Sequence, residues 1–217
     1  MLSNEDYKNI FHEIKNSITL ISSYLQLLVK MHPEIANLEY WTSSQAEIMR
    51  LRTIVTELSQ TKLGSNLQTK CLDLRDFIKD CCTNLHFFNG KEAISCVVSL
   101  TEQPCLADID SLQLRHAIIN LIKNSCEAMQ YQGCIQVALS QEKNTVCIHI
   151  TDLGGGIAPE LLDNIFDPFF TTKADGSGLG LSIAKQIITA HNGTICVESQ
   201  EGVGCTFTIS LPSAQKC

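Results

Sequence analysis

The sequence predicts an α+β protein in two parts: an N-terminal helical hairpin that pairs with a second copy into a four-helix bundle, then a two-layer α/β sandwich. Three observations predict it. Apolar residues Phe11, Ile14, Ile18, Ile21, Leu25 and Leu28 recur at alternating steps of three and four, the spacing of a heptad seam. His32-Pro33-Glu34 stops that run, because proline cannot continue a helix interior, and a second helical periodicity follows it. Beyond about residue 71 helical patterns mix with short alternating apolar segments, in an order that suits a sandwich better than a parallel doubly wound sheet.

Residues 5–31 therefore form one long amphipathic helix. The second helix carries Trp41, Ile48 and Val55 on one register and Leu51 and Leu58 on another, and it ends near Gly64-Ser65-Asn66. Each helix of a lone hairpin can bury its stripe on only one neighbour, so self-association covers the seam most simply. Packing against the rest of the same chain is the alternative. A linker at about 62–71 separates a domain of residues 1–66 from one of residues 70–217. In the second, Leu74 to Phe88 reads as a helix, Ile94 to Leu100 as a strand and Asp110 to Met129 as a long helix. Strands are expected at Cys134 to Ser140 and Thr145 to Thr151, and a helix at Leu179 to His191. The last strands, Gly193 to Ser199 and Cys205 to Leu211, flank the turn Gln200-Glu201-Gly202-Val203-Gly204.

Composition excludes several functions. A formal net charge of -7, with no basic stripe to offset it, gives no reason to expect nucleic acid as a partner. The 11 cysteines are scattered, odd in number and without CxxC spacing, so they read as reduced thiols rather than a zinc site or a disulfide framework. The start MLSNEDYKNIFHEIKN has no basic segment leading into an apolar core. Nor does any apolar run approach the ~20 residues needed to span a bilayer, so no membrane segment and a cytoplasmic location are expected.

Chemistry concentrates in three places. Asn120 and Asn124 lie four apart on the long helix and so share a face, where amide oxygens can ligate a hard cation such as magnesium without adding charge. The strand ending at Thr151 delivers Asp152, followed by Gly154, Gly155 and Gly156. A buried carboxylate can accept the exocyclic amine of adenine, and glycines let backbone approach the base. Gly176, Gly178 and Gly180 then lead into a helix whose free N–H groups and dipole suit phosphate. Asparagine pair, first glycine cluster and second glycine cluster, in that order, outline a nucleotide pocket with a lid. His12, beside Glu13 in the first helix, supplies a candidate phosphoryl acceptor.

NLIKNSCEAM, DLGGGI, IFDPFFTTK, GSGLGLSIAKQIITAHNG and GVGCTFTISLP resemble the asparagine, first glycine, phenylalanine, second glycine and terminal glycine boxes of two-component sensor histidine kinases, and FHEIKNSITLISSYLQLL is similar to their phosphoacceptor box. The resemblance implies a homodimeric hairpin followed by an ATP-binding domain of the Bergerat or GHKL type, with ATP and Mg2+ as cofactors. It implies that Asn124 ligates magnesium with help from Asn120, that Asp152 holds adenine, and that Gly154, Gly156, Gly176, Gly178 and Gly180 shape pocket and lid. Phe166, Phe169 and Phe170 would anchor the lid, and Lys173 would touch phosphate from it. His12 would be phosphorylated, with Glu13 taking the proton of the other ring nitrogen, and the phosphoryl group would pass to a response regulator receiver domain. Asn16, one turn beyond His12, would orient water for dephosphorylating that partner. The chain departs from the family pattern at Ser17, where proline is usual, and at Cys205, where serine or threonine commonly supports the adenine contact. A phosphotransfer scaffold without ATP use is the rival reading, and the intact Asp152 and lid glycines argue against it. ATP hydrolases with this pocket use a glutamate at the place of Asn120, and an amide cannot act as that base.

Overall fold

The computed structural model describes residues 4–60, 67–83, 94–173 and 176–214. The chain divides into two compact units, residues 1–66 with 169–179 and residues 67–168 with 180–217. Among the described residues no helix is long and apolar enough to cross a membrane.

In the first unit, α1 (Asn4–Met31) and α2 (Glu39–Gln60) form a hairpin around a 3-10 turn at Pro33–Asn37. The expected end of α2 at Gly64-Ser65-Asn66 lies outside the described residues. α1 continues unbroken through Ser17, whose hydroxyl donates to the Glu13 carbonyl at 3.0 Å. A proline there would instead delete a helical hydrogen bond. The heptad seam splits between two directions. Ile18 and Val55 are buried inside the hairpin, with Phe11, Leu25, Trp41 and Ile48 half-buried around them, and the Lys15 ammonium donates across to the Ser59 hydroxyl at 2.6 Å. Ile14, Ile21 and Leu28, each a heptad apart, stay exposed together with Ile10, Tyr24 and Leu51.

The second unit is the two-layer sandwich. Its five strands run in the order β2 (Ile94–Ser99), β4 (Gly133–Glu142), β5 (Thr145–Asp152), β7 (Gly204–Pro212), β6 (Thr194–Gln200). Only the β2–β4 pair is parallel. Strand periodicity sorts the faces. Val137, Leu139, Val146, Ile148, Ile150, Phe207 and Ile209 turn inward to a core shared with Leu114, Ile118, Leu121 and Ile122 of α4 (Ser111–Ala128) and Ile183, Ile187 and Ile188 of α5 (Gly180–Ala190). The opposite face carries a polar ladder. His149 lies between the hydroxyls of Ser140 and Thr208, each 3.0 Å away, and Thr151 meets Thr206 at 2.9 Å. Helices therefore cover one face of the sheet.

Two strands escape the sequence reading. β1 (Lys70–Asp73) pairs antiparallel with β3 (Leu106–Ile109) as a separate two-stranded sheet, so the expected linker at 62–71 gives way to strand at Lys70. Four-residue strands carry too little alternation to be read, and these two are tied by a tertiary contact: the Asp73 carboxylate, paired locally with the Arg75 guanidinium, also accepts from the Cys105 backbone N–H. α3 (Leu74–Thr83) begins where expected, and the part expected at 84–88 lies outside the described residues. Asp110 caps α4, its Oδ1 accepting from the backbone N–H groups of Leu112 and Gln113 and its Oδ2 from that of Gln68 at 3.1 Å. The Asp110 backbone N–H donates to buried His191 Nε2 at 2.9 Å, while His191 Nδ1 donates to the Ile187 carbonyl at 2.8 Å. His191 thereby ties the end of α5 to the start of α4.

Candidate functional site

Asp152 ends β5 and is 1% exposed. A carboxylate removed from water must find donors, and three converge on it. The Ser125 hydroxyl of α4 donates to Oδ2 at 2.8 Å, the Gly154 backbone N–H donates to Oδ1 at 3.0 Å, and Cys205 Sγ lies 3.5 Å from Oδ2. Burial and the adjacent Asp152 charge push the Cys205 thiol up to about 12, so at neutral pH it keeps its proton and donates it to the carboxylate. A carboxylate offers about four acceptor positions. One remains for a ligand donor.

The glycines around Asp152 are required by close approach. A Cβ on Gly154 would lie 2.9 Å from the Ala128 Cβ. Gly156 has φ +67°, and its Cβ would stand 2.2 Å from the Gln200 carbonyl oxygen. Gly204, at φ +147°, would place a Cβ 2.1 Å from the Asp152 carbonyl oxygen. Hydrogen bonds hold the two turns together: Gly202 N–H to Gly155 O at 2.8 Å, Ile157 N–H to Ser199 Oγ at 2.7 Å, and Ser199 Oγ–H to Gly204 O at 3.2 Å. The first glycine cluster and the β6–β7 turn thus form one rim.

Asn120 and Asn124 stand half-exposed on α4, and the Asn120 amide donates to the carbonyl of Gly180, the first residue of α5, at 3.4 Å. His116, one turn earlier, holds a buried Nδ1 with no hydrogen-bond partner among the described residues, and burial lowers its proton affinity. Ser125, Ser199, His116 and His191 were not singled out from sequence. Only Ser125 had a signal, as the neighbour of Asn124 on a helix that must supply donors to a buried carboxylate.

The second glycine cluster folds back on its own start. The Phe169 backbone N–H donates to Gly178 O at 2.9 Å, and a Cβ on Gly178 (φ +68°) would sit 2.4 Å from the Phe169 carbonyl carbon. Gly176 N–H donates to the carbonyl of exposed Lys173 at 3.2 Å, and a Cβ there would strike Thr171 Oγ1 at 2.3 Å. The phenylalanines do not act alike. Phe166 lies under the Lys185 ammonium at 5.3 Å and Phe170 is half-buried. Phe169 is 63% exposed with φ +68°, which corrects the expectation that all three anchor the segment; the backbone reversal that seats Gly178 turns its ring outward.

His12 is exposed on α1, and its Nδ1 lies 3.1 Å from the Asn16 amide nitrogen. The group at Nδ1 is thus Asn16, one helical turn on, and not the adjacent Glu13, because neighbours in sequence diverge around a helix.

A family model for histidine kinase-, DNA gyrase B-, and HSP90-like ATPases matches residues 109–215, the span from the start of α4 through β7. The chain is 35% identical to sensor histidine kinase ZraS of Escherichia coli over 210 residues, 94% of this chain and 44% of that protein. It is 32% identical to sporulation kinase D of Bacillus subtilis over 202 residues, 93% of this chain and 40% of that protein. The chain belongs to the histidine kinases. Among solved structures it is similar to histidine kinase ThkA in complex with response regulator protein TrrA, with 28% identity and a TM-score of 0.68 over 95% of this chain and 60% of that one. This histidine kinase chain spans less than half the length of either relative.

The donor set accommodates a magnesium nucleotide. No group of three or more His, Cys, Asp or Glu among the described residues could hold a metal, so a cation at α4 would rest on amide oxygen and on the phosphates themselves. With its nitrogen directed to Gly180, the Asn120 amide keeps its oxygen as an acceptor. Hard oxygen ligands of this kind, completed by phosphate, are what magnesium takes.

Proposed function

We propose that the chain is an ATP-dependent protein histidine kinase that phosphorylates His12 and passes the phosphoryl group to an aspartate on a response regulator receiver domain. The observation that carries the reading is the presence, in one chain, of a buried carboxylate with one acceptor position unfilled and an exposed histidine on a helical hairpin. Asp152 accepts the adenine exocyclic amine, and Gly154 and Gly156 allow the base to approach. Asn124, assisted by Asn120, holds the magnesium ion, which supplies charge neutralisation at the phosphates when bound. Lys173, Gly176, Gly178 and Gly180 belong to the phosphate-binding part.

The acceptor side needs one nitrogen of His12 to carry a lone pair toward the γ-phosphate. With the Asn16 amide donating to Nδ1, the neutral ring would hold its proton on Nε2. Turning the amide over makes its oxygen the acceptor of an Nδ1–H and leaves Nε2 as the nucleophile. Attack then proceeds in line, and positioning supplies most of the acceleration. The proton leaves Nδ1 through solvent. Asn16 is also the residue placed to orient a water for dephosphorylation of the regulator. ThkA, whose structure includes a response regulator, supports the choice of partner. The exposed stripe of Ile14, Ile21 and Leu28 supports a homodimer.

The test is incubation with radiolabelled ATP and magnesium, comparing wild type with His12→Ala and Asn124→Ala. Label that is acid-labile, alkali-stable and missing from both variants is expected. Label that survives His12→Ala would refute the assignment.

A further inference from the structure

We infer that Lys185 is a positioning residue for the second glycine cluster: its ammonium, seated over the Phe166 ring, clasps together the two points between which residues 169–179 are strung. The effect on nucleotide binding rests on the kinase reading above, whereas the clasp itself is independent of it.

Both anchor points are firm by themselves. Ahead of the segment, a 3-10 turn at Pro159–Leu161 runs into further turns closed by Leu162 N–H to Pro159 O, Asn164 N–H to Leu161 O and Asp167 N–H to Asn164 O. Ile165, 6% exposed, pins this run to the core, and Pro168 follows it with a fixed φ. After the segment, α5 starts at Gly180, whose carbonyl accepts from Asn120, and it buries Ile183, Ile187 and Ile188. Lys185, set among those inward residues, is exposed. A lysine facing water has no packing reason to hold one rotamer and loses entropy when it does. Its ammonium nevertheless lies 5.3 Å from the centroid of half-buried Phe166, inside the ~6 Å within which a ring face attracts a cation. Among the described residues Lys185 makes no salt bridge, although Asp163 and Asp167 flank Phe166 in the chain. The ring is therefore what holds the cation.

Within the segment the ties are local. Phe169 N–H donates to Gly178 O at 2.9 Å, Gly176 N–H to Lys173 O at 3.2 Å and Leu179 N–H to Ser177 Oγ at 3.3 Å. These bonds fold the segment on itself and leave the spacing of its two ends unset. The Lys185–Phe166 contact sets that spacing before a ligand arrives. A ligand that must itself order a loop loses affinity by the ordering cost, so the clasp strengthens binding of the phosphates, which the second glycine cluster faces, and leaves the base at Asp152 unaffected. An exposed cation over a ring accounts for roughly a two- to fivefold effect. Arginine at 185 keeps the cation, and methionine keeps an unbranched apolar stem without it.

The test compares the full chain as wild type, Lys185→Met, Lys185→Arg, Phe166→Leu and the double variant Lys185→Met with Phe166→Leu. Without nucleotide, hydrogen exchange at the Phe169, Gly176 and Leu179 amides should quicken by about two- to fivefold in both single apolar variants. It should keep the wild-type rate in Lys185→Arg and be no faster in the double variant than in either single one. With nucleotide, Lys185→Met should bind MgATP about two- to fivefold more weakly and adenosine as tightly as wild type. Wild-type exchange in Lys185→Met, quickened exchange in Lys185→Arg, additive effects in the double variant, or equal losses for ATP and adenosine each overturn the inference. If wild type binds no MgATP, the kinase reading fails and the exchange rates still decide the clasp. Should Phe166→Leu fail to fold, the two variants at exposed Lys185 decide it alone.

Discussion

Replacing Asp152 by asparagine tests the pocket with the smallest change of shape. The native carboxylate receives the Ser125 hydroxyl, the Gly154 N–H and the Cys205 thiol. Of these, the Gly154 backbone donor is fixed, so the asparagine oxygen must remain opposite it and the amide NH2 must take the other side. Ser125 and Cys205 can rotate, which limits the folding cost to at most about 1–3 kcal/mol, the penalty for one buried donor left unmade. For a chain of this size that lowers Tm by about 2–4 °C per kcal/mol. Binding suffers differently. The adenine amine would lose a hydrogen bond to a charged acceptor, about 1.5–3 kcal/mol, and since about 1.4 kcal/mol is tenfold, ATP should bind about 10- to 150-fold more weakly. GTP, which presents a carbonyl where adenine presents an amine, should bind wild type poorly and gain relative to ATP in the variant. Fluorescent-nucleotide displacement with both nucleotides, beside a thermal melt, measures this. A folded Asp152→Asn protein that binds ATP as tightly as wild type refutes the role assigned to this carboxylate.

Gly156→Ala should cost more than the roughly 1–2 kcal/mol of a left-handed residue, since its Cβ also meets the Gln200 carbonyl. Gly155→Ala, with nothing within 4 Å of the added atom, should stay within about 0.5 kcal/mol, and urea melts compare the two. His191→Leu strands the Asp110 backbone N–H and should destabilise by about 1–3 kcal/mol, read in the same assay. His116, whose folded-state proton affinity burial lowers, binds a proton more readily when unfolded. Its share of stability is therefore complete above about pH 6.5, the ordinary imidazole value, and is lost as pH falls toward the depressed folded value. His116→Leu should flatten that acid limb in melts followed between about pH 7 and pH 5. Ile21→Glu, on the exposed heptad stripe, should convert a dimer to monomer in sedimentation while leaving the melt of the ATP-binding unit in place; a variant that stays dimeric removes the stripe from the interface.

The larger elements were legible because each carries its own periodicity. α1, α4, α5 and the four longer strands of the antiparallel set all begin and end within a few residues of their expected places, α2 carries the expected periodicity through Gln60, and each spans enough residues for the 3.6 or the 2.0 period to declare itself. β1 and β3 span four residues apiece, and what joins them is their own ladder and the Cys105 backbone N–H reaching Asp73 across 32 positions. That is tertiary information. Phe169 failed for a related reason: aromatic residues near a turn default to the core, and only the close approach of Gly178 shows why this one turns outward.

The candidate site divides along the same line. Asp152, Gly156 and the Asn120–Asn124 pair, on which the proposed pocket rests, stood out in the sequence by type and spacing. Residues that serve them did not. Ser125 lies 27 positions from the carboxylate it supports, Cys205 lies 53, and Asp110 reaches His191 across 81. Ser125 is marked only by its place beside Asn124, Cys205 only as a departure from the family pattern, and His191 by nothing in the neighbouring sequence. Yet these are the groups that set how many acceptor positions Asp152 has to spare. With three donors already in place, the carboxylate can take one more hydrogen bond and no large ligand rearrangement, which makes it a discriminator between amine and carbonyl rather than a general anion site. On the proposed reading, recognition of adenine would be specified by residues that never touch it, and replacing Ser125 with alanine should relax the ATP preference by freeing a position on the same carboxylate.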